Sequence, residues 1–286
     1  MRRLPARTMP IMQAHRYVTY TPPAPLDRFI ENFWYWESDA PGHARDTIMA
    51  SGRMGLLVNL GGNELSWYGG ERYAQKAVLR GIALCGTNSR AFAIDAFQAH
   101  MMGVQFRAGG AFPFFGPPGR DFQNTHLSLE EIWGGRARSL HAQLVEARTP
   151  RAKFAILLIA LLEMAPRAFE HHPAVDFALD RFNRAPVSSR VAAAAADAGL
   201  SQKKFIRLFT DEVGVTPKLY LRVARFQKLL DRVWDMPSVD WAPLAAAHGY
   251  YDQPHLIRDF REFSGFTPCE YLALRGPFPQ HVPLPS

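Results

Sequence analysis

The chain has 286 residues, 48% of them hydrophobic and 21% charged, a globular balance with room for two domains, each with its own core. A net charge of +7 and a pI of about 9.6 favour a polyanionic partner, although from Pro173 onward only 14 Lys and Arg stand against 12 Asp and Glu. Two distant cysteines, Cys85 and Cys269, exclude a disulfide scaffold and a CxxC zinc site, and the most apolar run, 154–162, is too short to span a bilayer.

Residues 1–25 read as an irregular lead ending in TPPAP; its start, MRRLPARTMP, lacks the apolar stretch of a signal peptide. A short helix is expected from Leu26 (LDRFIENFW). Apolar segments broken by glycine follow at 55–60, 65–68, 78–84, 92–97 and 101–106. Runs of this length between glycines read as strands joined by turns, so a small antiparallel β-barrel or sandwich is expected over residues 26–115. After Pro117-Pro118 the pattern turns helical over 127–165, with helices at 129–133, 137–146 and 151–165. Ser128 and Thr149 are the expected caps, and Pro150 suits a first helical position. The run 154–162 is apolar nearly all round, which predicts burial. Pro166 and His171-His172-Pro173 mark a linker.

The rest is helical to about Leu274. Val175, Leu179 and Phe182 fall at core spacing in a helix over 174–183. Ser188 or Ser189 would cap 190–198, Ser201 caps 202–212, Thr216 caps 217–234, Asp252 caps 253–263 and Thr267 caps a last helix from Pro268. The fold class is α+β. An N-terminal domain occupies 1–168, an all-α domain 174–275, and an irregular Pro-rich tail 276–286.

The helical region contains a segment that occurs twice. Residues 206–220 read IRLFTDEVGVTPKLY and 257–271 read IRDFREFSGFTPCEY, at an offset of 51 residues with seven of fifteen positions identical. Each copy follows an Ala-rich stretch, a glycine (Gly199, Gly249) and a polar cap. Helix, glycine turn and second helix is the layout of a helix-turn-helix DNA reader. Phe205, Leu208 and Phe209 of the first copy, and Leu256 and Phe260 of the second, would be buried. Gln202, Lys203, Ile206 and Arg207 are left on the outer face of one copy, and Gln253, Pro254, His255, Ile257 and Arg258 on that of the other. Arginine can donate two hydrogen bonds to guanine, glutamine can satisfy adenine, and proline can touch a thymine methyl. Lys203 or Lys204, Lys218 and Arg261 suit phosphates, as do the free N–H groups at 201–203 and at Asp252-Gln253. The helix at 217–234 would form a strut of about 27 Å, compatible with two readers set one DNA turn, ~34 Å, apart. The repeated Ile206/Ile257 and Phe209/Phe260 read first as packing residues.

These residues resemble the AraC/XylS family of bacterial transcription regulators. The matching pattern runs from Ala194 through Gly199-Leu200-Ser201, Phe205, Arg207, Phe209, Gly214, Thr216-Pro217 and Tyr220. It continues with 225–228 (RFQK), Ala246, Gly249-Tyr250, Asp252-Gln253, His255-Leu256, Arg258 and Phe260, and ends with Gly265, Thr267-Pro268 and Tyr271. The resemblance implies two helix-turn-helix units on a linker helix, reading adjacent major-groove segments of double-stranded DNA. It carries base contact to Lys203, Ile206 and Arg207, and to Gln253, Pro254, His255 and Arg258. Leu229 departs from the alanine common there. Residues 103–110 (GVQFRAGG) and 129–134 resemble an uncharacterised subgroup of cupin-like sensor or dimerisation domains.

No catalytic residue, cofactor or metal is expected. His43, His100 and His126 are widely spaced, the glycine pairs lack a phosphate-loop pattern, and no serine stands in G-x-S-x-G. The aromatic runs 33–36 (FWYW) and 112–115 (FPFF) read as core more readily than as pocket lining. The expected protein is a cytoplasmic, nucleoid-associated regulator and not an enzyme, with no membrane partner. A small-molecule effector, RNA polymerase contact and a homodimer stay open. The alternatives are a barrel-domain enzyme or carrier with an appended DNA-binding module, and an N-terminal domain that binds a protein partner.

Overall fold

The computed structural model describes residues 15–38, 45–70, 73–95, 100–276 and 278–284. His43, the end of the expected strand at 92–97, and the lead up to residue 14 lie outside the described residues.

The N-terminal domain contributes β1 (His15–Tyr20), β2 (Ile30–Ser38), β3 (Arg45–Ile48), β4 (Gly55–Asn59), β5 (Glu64–Gly69), β6 (Gln75–Arg80), β7 (Ile82–Cys85), β8 (Phe92–Asp95), β9 (His100–Phe106) and β10 (His126–Ser128). A further strand, β11 (His281–Leu284), comes from the other end of the chain. Antiparallel pairing makes two sheets, in the orders β1-β2-β9-β4-β7-β10 and β11-β3-β8-β5-β6. Three helices follow β10: α1 (Glu130–Trp133), α2 (Gly135–Glu146) and α3 (Pro150–Met164).

The first sheet is apolar on both faces. Phe33, Tyr35, Leu56, Val58, Met102 and Val104 share a core with Leu140, Leu144, Phe154 and Leu157 of the helices. The alternate positions Trp34, Trp36, Leu57, Ala83 and Met101 pack with Leu65 and Leu79 of the second sheet. Successive side chains of a strand point to opposite faces, so the run FWYW feeds both layers at once. The two sheets remain open, so of the two expected forms the sandwich applies and the closed barrel does not.

Several local expectations change. Only Leu26–Arg28 is helical in LDRFIENFW, as a 3-10 turn; from Ile30 the chain pairs with β9, Phe33 opposite Val104. Aromatic side chains on both sides are better buried in a sheet than on a helix of one turn. The single strand expected at 78–84 breaks at Gly81, φ +73°, and β6 and β7 lie in different sheets. Only glycine takes this conformation at little strain, and here the chain crosses between layers. β1 lies in the lead and β11 in the tail, both expected to be irregular. Helix α3 buries Phe154, Leu157 and Leu161 but leaves Ile159 and Leu162 54% and 42% exposed, so the apolar run is covered on one side.

The C-terminal domain is α4 (Pro173–Arg184), α5 (Val191–Asp197), α6 (Gln202–Val213), α7 (Pro217–Val233), α8 (Trp241–Ala247), α9 (Gln253–Ser264) and α10 (Pro268–Leu274). Thr149, Ser201, Thr216, Asp252 and Thr267 each accept a hydrogen bond from a first-turn N–H of their helix. Thr267 and Glu270 close a full capping box. Neither serine caps α5: its first flanking residue is Arg190, and the Ser189 hydroxyl donates instead to the Ala185 carbonyl. Ser128 precedes Leu129, the residue flanking α1, and its hydroxyl accepts from the Glu130 N–H. Two cores result. Val175, Phe182, Phe205, Phe209 and Tyr220 belong to the first, and Phe226, Leu230, Trp241, Leu256, Phe260 and Tyr271 to the second. Helix α7 runs through both, so the units share one rigid element.

Candidate nucleic-acid interface

The two repeats build the same local structure. Helices α5 and α6 are joined through Gly199, φ +67°, and α8 and α9 through Gly249, φ +72°. The second helix of each pair buries two phenylalanines or a leucine and a phenylalanine: Phe205 and Phe209 in α6, Leu256 and Phe260 in α9. Helix α6 ends at Gly214 and α9 at Gly265, both left-handed.

On the outer face of α6, Gln202, Lys203 and Arg207 are exposed, and Ile206 is half-buried against the first core. Arg207 is 81% exposed, with Nε 3.9 Å from Asp211 Oδ2 one turn on. On α9, Gln253, Pro254 and Arg258 are exposed, and Ile257 packs on the second core. His255 is more enclosed: Nδ1 accepts from the Tyr251 N–H at 3.3 Å, Nε2 lies 4.0 Å from Asp259 Oδ1, and the ring meets Tyr250 edge-on. With Nδ1 occupied, His255 has only Nε2–H to offer a base. Lys203, Lys204, Lys218 and Arg261 are all exposed.

The back of α9 is tied to the strut. Arg222 of α7 donates to Asp259 at 2.7 Å and to Glu262 at 2.6 Å. Burial opposes the Arg222 charge, but the hydrogen bonds and charges of Asp259 and Glu262 outweigh it and its pKa moves up. Burial, reinforced by Asp259, pushes the Tyr250 hydroxyl pKa up. Arg225 lies over the Tyr250 ring and donates to the Gly249 carbonyl, which fixes the turn.

Sequence reasoning missed three sets of residues. Tyr251, in the turn before α9, is 93% exposed, a large ring held out beside Gln253. His171 is no mere linker: it is buried, and its Nδ1 is 2.8 Å from Glu212 on the back of α6, while Glu212 also accepts from the His172 N–H. The Phe29 and Phe112 rings flank His171. An open cleft of about 420 Å³ lies beside this pair, lined by Phe112, Arg167, Glu170, His171 and His172 among others. The third set lies in the N-terminal loops that follow β3 and β7. The Thr87 hydroxyl donates to the Val213 carbonyl at 3.1 Å, and the Ala50 N–H donates to the Phe263 carbonyl at 2.9 Å. The ends of both outward helices are therefore capped from the other domain. No local sequence signal marks such partners; only the acid in an otherwise apolar buried stripe of α6, Glu212, hinted at a polar counterpart.

Two exposed polar helix faces on paired helix-turn-helix units, carried by a shared strut, make up the candidate interface. Residues 194–273 match the model of a helix-turn-helix domain, and residues 18–128 that of a domain of unknown function (DUF6597). The C-terminal part of the chain therefore carries a helix-turn-helix domain. No curated protein matches it. Among solved structures, an AraC-type transcriptional regulator from Chromobacterium violaceum aligns at 21% identity and TM-score 0.33, over 36% of this chain and 96% of its own. ToxT from Vibrio cholerae aligns at 9% identity and TM-score 0.45, over 91% of this chain and 98% of its own. ToxT bound to an unsaturated fatty acid aligns at 9% and 0.42, over 91% and 97%.

Proposed function

We propose that the chain reads two adjacent major-groove segments of double-stranded DNA, one through α6 and one through α9. Gln202, Lys203, Ile206 and Arg207 would face the first segment, and Gln253, Pro254, His255 and Arg258 the second. The observation that carries this reading is the outward stripe of each helix, polar and exposed, on a core that is otherwise closed. Arg207 and Arg258 are the guanine readers; Ile206, half-buried, contributes packing more than readout. Tyr251 and Arg261 are phosphate contacts. Residues 1–168 form the modulating domain and 174–275 the reader, acting in the cytoplasm and without catalysis. Two readers in one chain make a homodimer unnecessary for one full site. An effector of the N-terminal domain would act through the cleft beside His171, because it adjoins the pair that holds α6; the space between the sheets is nearly filled, with a void of about 20 Å³. An effector shifts the equilibrium only by its differential affinity for the two arrangements.

Selection of bound fragments from random DNA by the full chain, at two salt concentrations, tests the reading. The expected product is a motif of two blocks about one helical turn apart. Arg258→Ala should then weaken binding by about 1–3 kcal/mol and relax preference at one position of one block. A loss spread evenly over all sequences would assign Arg258 to a phosphate. Recovery of no motif, with binding that vanishes as salt rises, would reduce the interaction to nonspecific attraction.

A further inference from the structure

On α6, positions 203, 207 and 211 follow one another at helical spacing on one stripe: Lys203, Arg207 and Asp211. Asp211 is the one carboxylate of that stripe. It sits one turn from the proposed guanine reader, close enough to draw the Arg207 guanidinium onto itself. In the structure it is already engaged. Arg120, on the 3-10 turn Gly119–Phe122 of the N-terminal domain, pairs through Nη1 with Asp211 Oδ1, leaving Oδ2 3.9 Å from Arg207 Nε.

The placement of Arg120 is fixed by its neighbours. Gly119 packs so closely on the end of α6 that a Cβ there would lie 2.9 Å from the Gly214 amide nitrogen. A Cβ on Gly214 would in turn collide with the Thr87 hydroxyl, which caps Val213. Backbone packing on both sides thus carries the guanidinium to the carboxylate. An exposed ion pair contributes little to stability, and Arg120 is 50% exposed, so the consequence of this pair is where charge points. It also places a cation near the C-terminal, negative end of the α6 dipole.

We infer that Arg120 is a positioning residue for DNA reading: it takes Asp211 Oδ1 at close range, so that Arg207 keeps only a 3.9 Å contact with Oδ2 and can turn to the base. The inference rests on the assignment of Arg207 to base reading. Through this contact the N-terminal domain sets the specificity of the first unit without itself touching a base. If the 3-10 turn moves away, Asp211 captures Arg207 and the first unit loses discrimination while the second keeps its own.

The test uses the full chain with duplexes recovered from random DNA and with versions of them changed one base pair at a time. Arg207→Ala identifies the base pair read by Arg207. Arg120→Ala should flatten preference at that same base pair, with a loss of about tenfold, below that of Arg207→Ala. Asp211→Asn combined with Arg120→Ala should restore it, since no carboxylate is left to hold Arg207. Asp211→Asn alone, which leaves the N-terminal domain intact, should keep full discrimination. An even loss at every base pair that Asp211→Asn does not restore overturns the inference and makes Arg120 a phosphate contact. Unchanged binding in Arg120→Ala overturns it as well. If Arg207→Ala alters no base pair, the base reading by Arg207 fails, and the inference with it.

Discussion

Burial decides the chemistry of individual side chains in the N-terminal domain. His126 lies between Trp67 and Phe92, with ring centroids 4.9 and 4.3 Å away, opposite Cys85 in the strand register. Desolvation lowers its pKa to about 4 and raises that of the Cys85 thiol to about 12. The first makes His126 a neutral packing group; the second keeps Cys85 an inert thiol at neutral pH. The histidine has a further consequence. Its folded pKa lies below the unfolded value of ~6.5, so between the two the unfolded chain binds the extra proton. Stability is fully present above about 6.5 and is lost as the pH falls toward 4, at up to about 1.4 kcal/mol per pH unit. Asp231, whose pKa burial raises, works in the opposite direction. The contribution of His126 is therefore isolated by difference. Denaturant unfolding of wild type and His126→Phe at several pH values should diverge as the pH falls, with wild type losing more. Parallel curves would show that the two rings do not hold His126 neutral.

At the scale of the element, the two turns differ in a way their sequences hide. Gly199 and Gly249 both need positive φ, at +67° and +72°. A Cβ on Gly199 meets nothing within 4 Å, whereas on Gly249 it would lie 2.6 Å from Val187 Cγ1. Asparagine tolerates the left-handed region better than other side-chain-bearing residues. Gly199→Asn should therefore cost under about 1 kcal/mol, and Gly249→Asn about 1–3 kcal/mol more. Val187→Ala should recover part of the second loss. Equal losses in thermal or denaturant unfolding would mean that the backbone alone sets the cost and that the Val187 contact is idle. What sequence could show follows from the same contrast. Capping threonines, turn glycines and the apolar stripes of α6 and α9 act within a few residues, so their pattern is written locally and the two helix-turn-helix units are legible in the sequence. The crowding at Gly249 depends on Val187, 62 positions away, and β1, β10 and β11 become strands only through distant partners. His171 looked like linker for the same reason: Glu212, which holds it, lies 41 residues on.

At the scale of the whole molecule, the reader is fastened to the sheets at both of its units. The first is held at the end of α6 by Thr87, Gly119 and Arg120, and from behind by His171. The second takes Met49, Ala50 and Val282 into its core, and the tail that carries Val282 pairs with β3, Val282 opposite Thr47. Gln280 donates to Gln227 of the strut, and Gln227 in turn donates to the Ala50 carbonyl. Tail, strut and sheet therefore close on one another around the second unit, and β11 is a clasp between domains. A core shared across two domains makes them unfold together, because neither can expose its share without opening the other. Calorimetry of the full chain should show a single transition. Val282→Ala, which removes two methyl groups from that core, should lower stability by about 2 kcal/mol while keeping one transition. Removal of residues 277–286 takes away the strand, the glutamine clasp and Val282 together. It should split the unfolding into two transitions, with the helical domain the less stable, since only Met49 and Ala50 would then remain of the N-terminal residues and tail that share the second unit's core. A truncated chain that still unfolds in one step would show that the contacts of α6 suffice to couple the domains, and β11 would then be an ornament of the second sheet instead of its link to the reader.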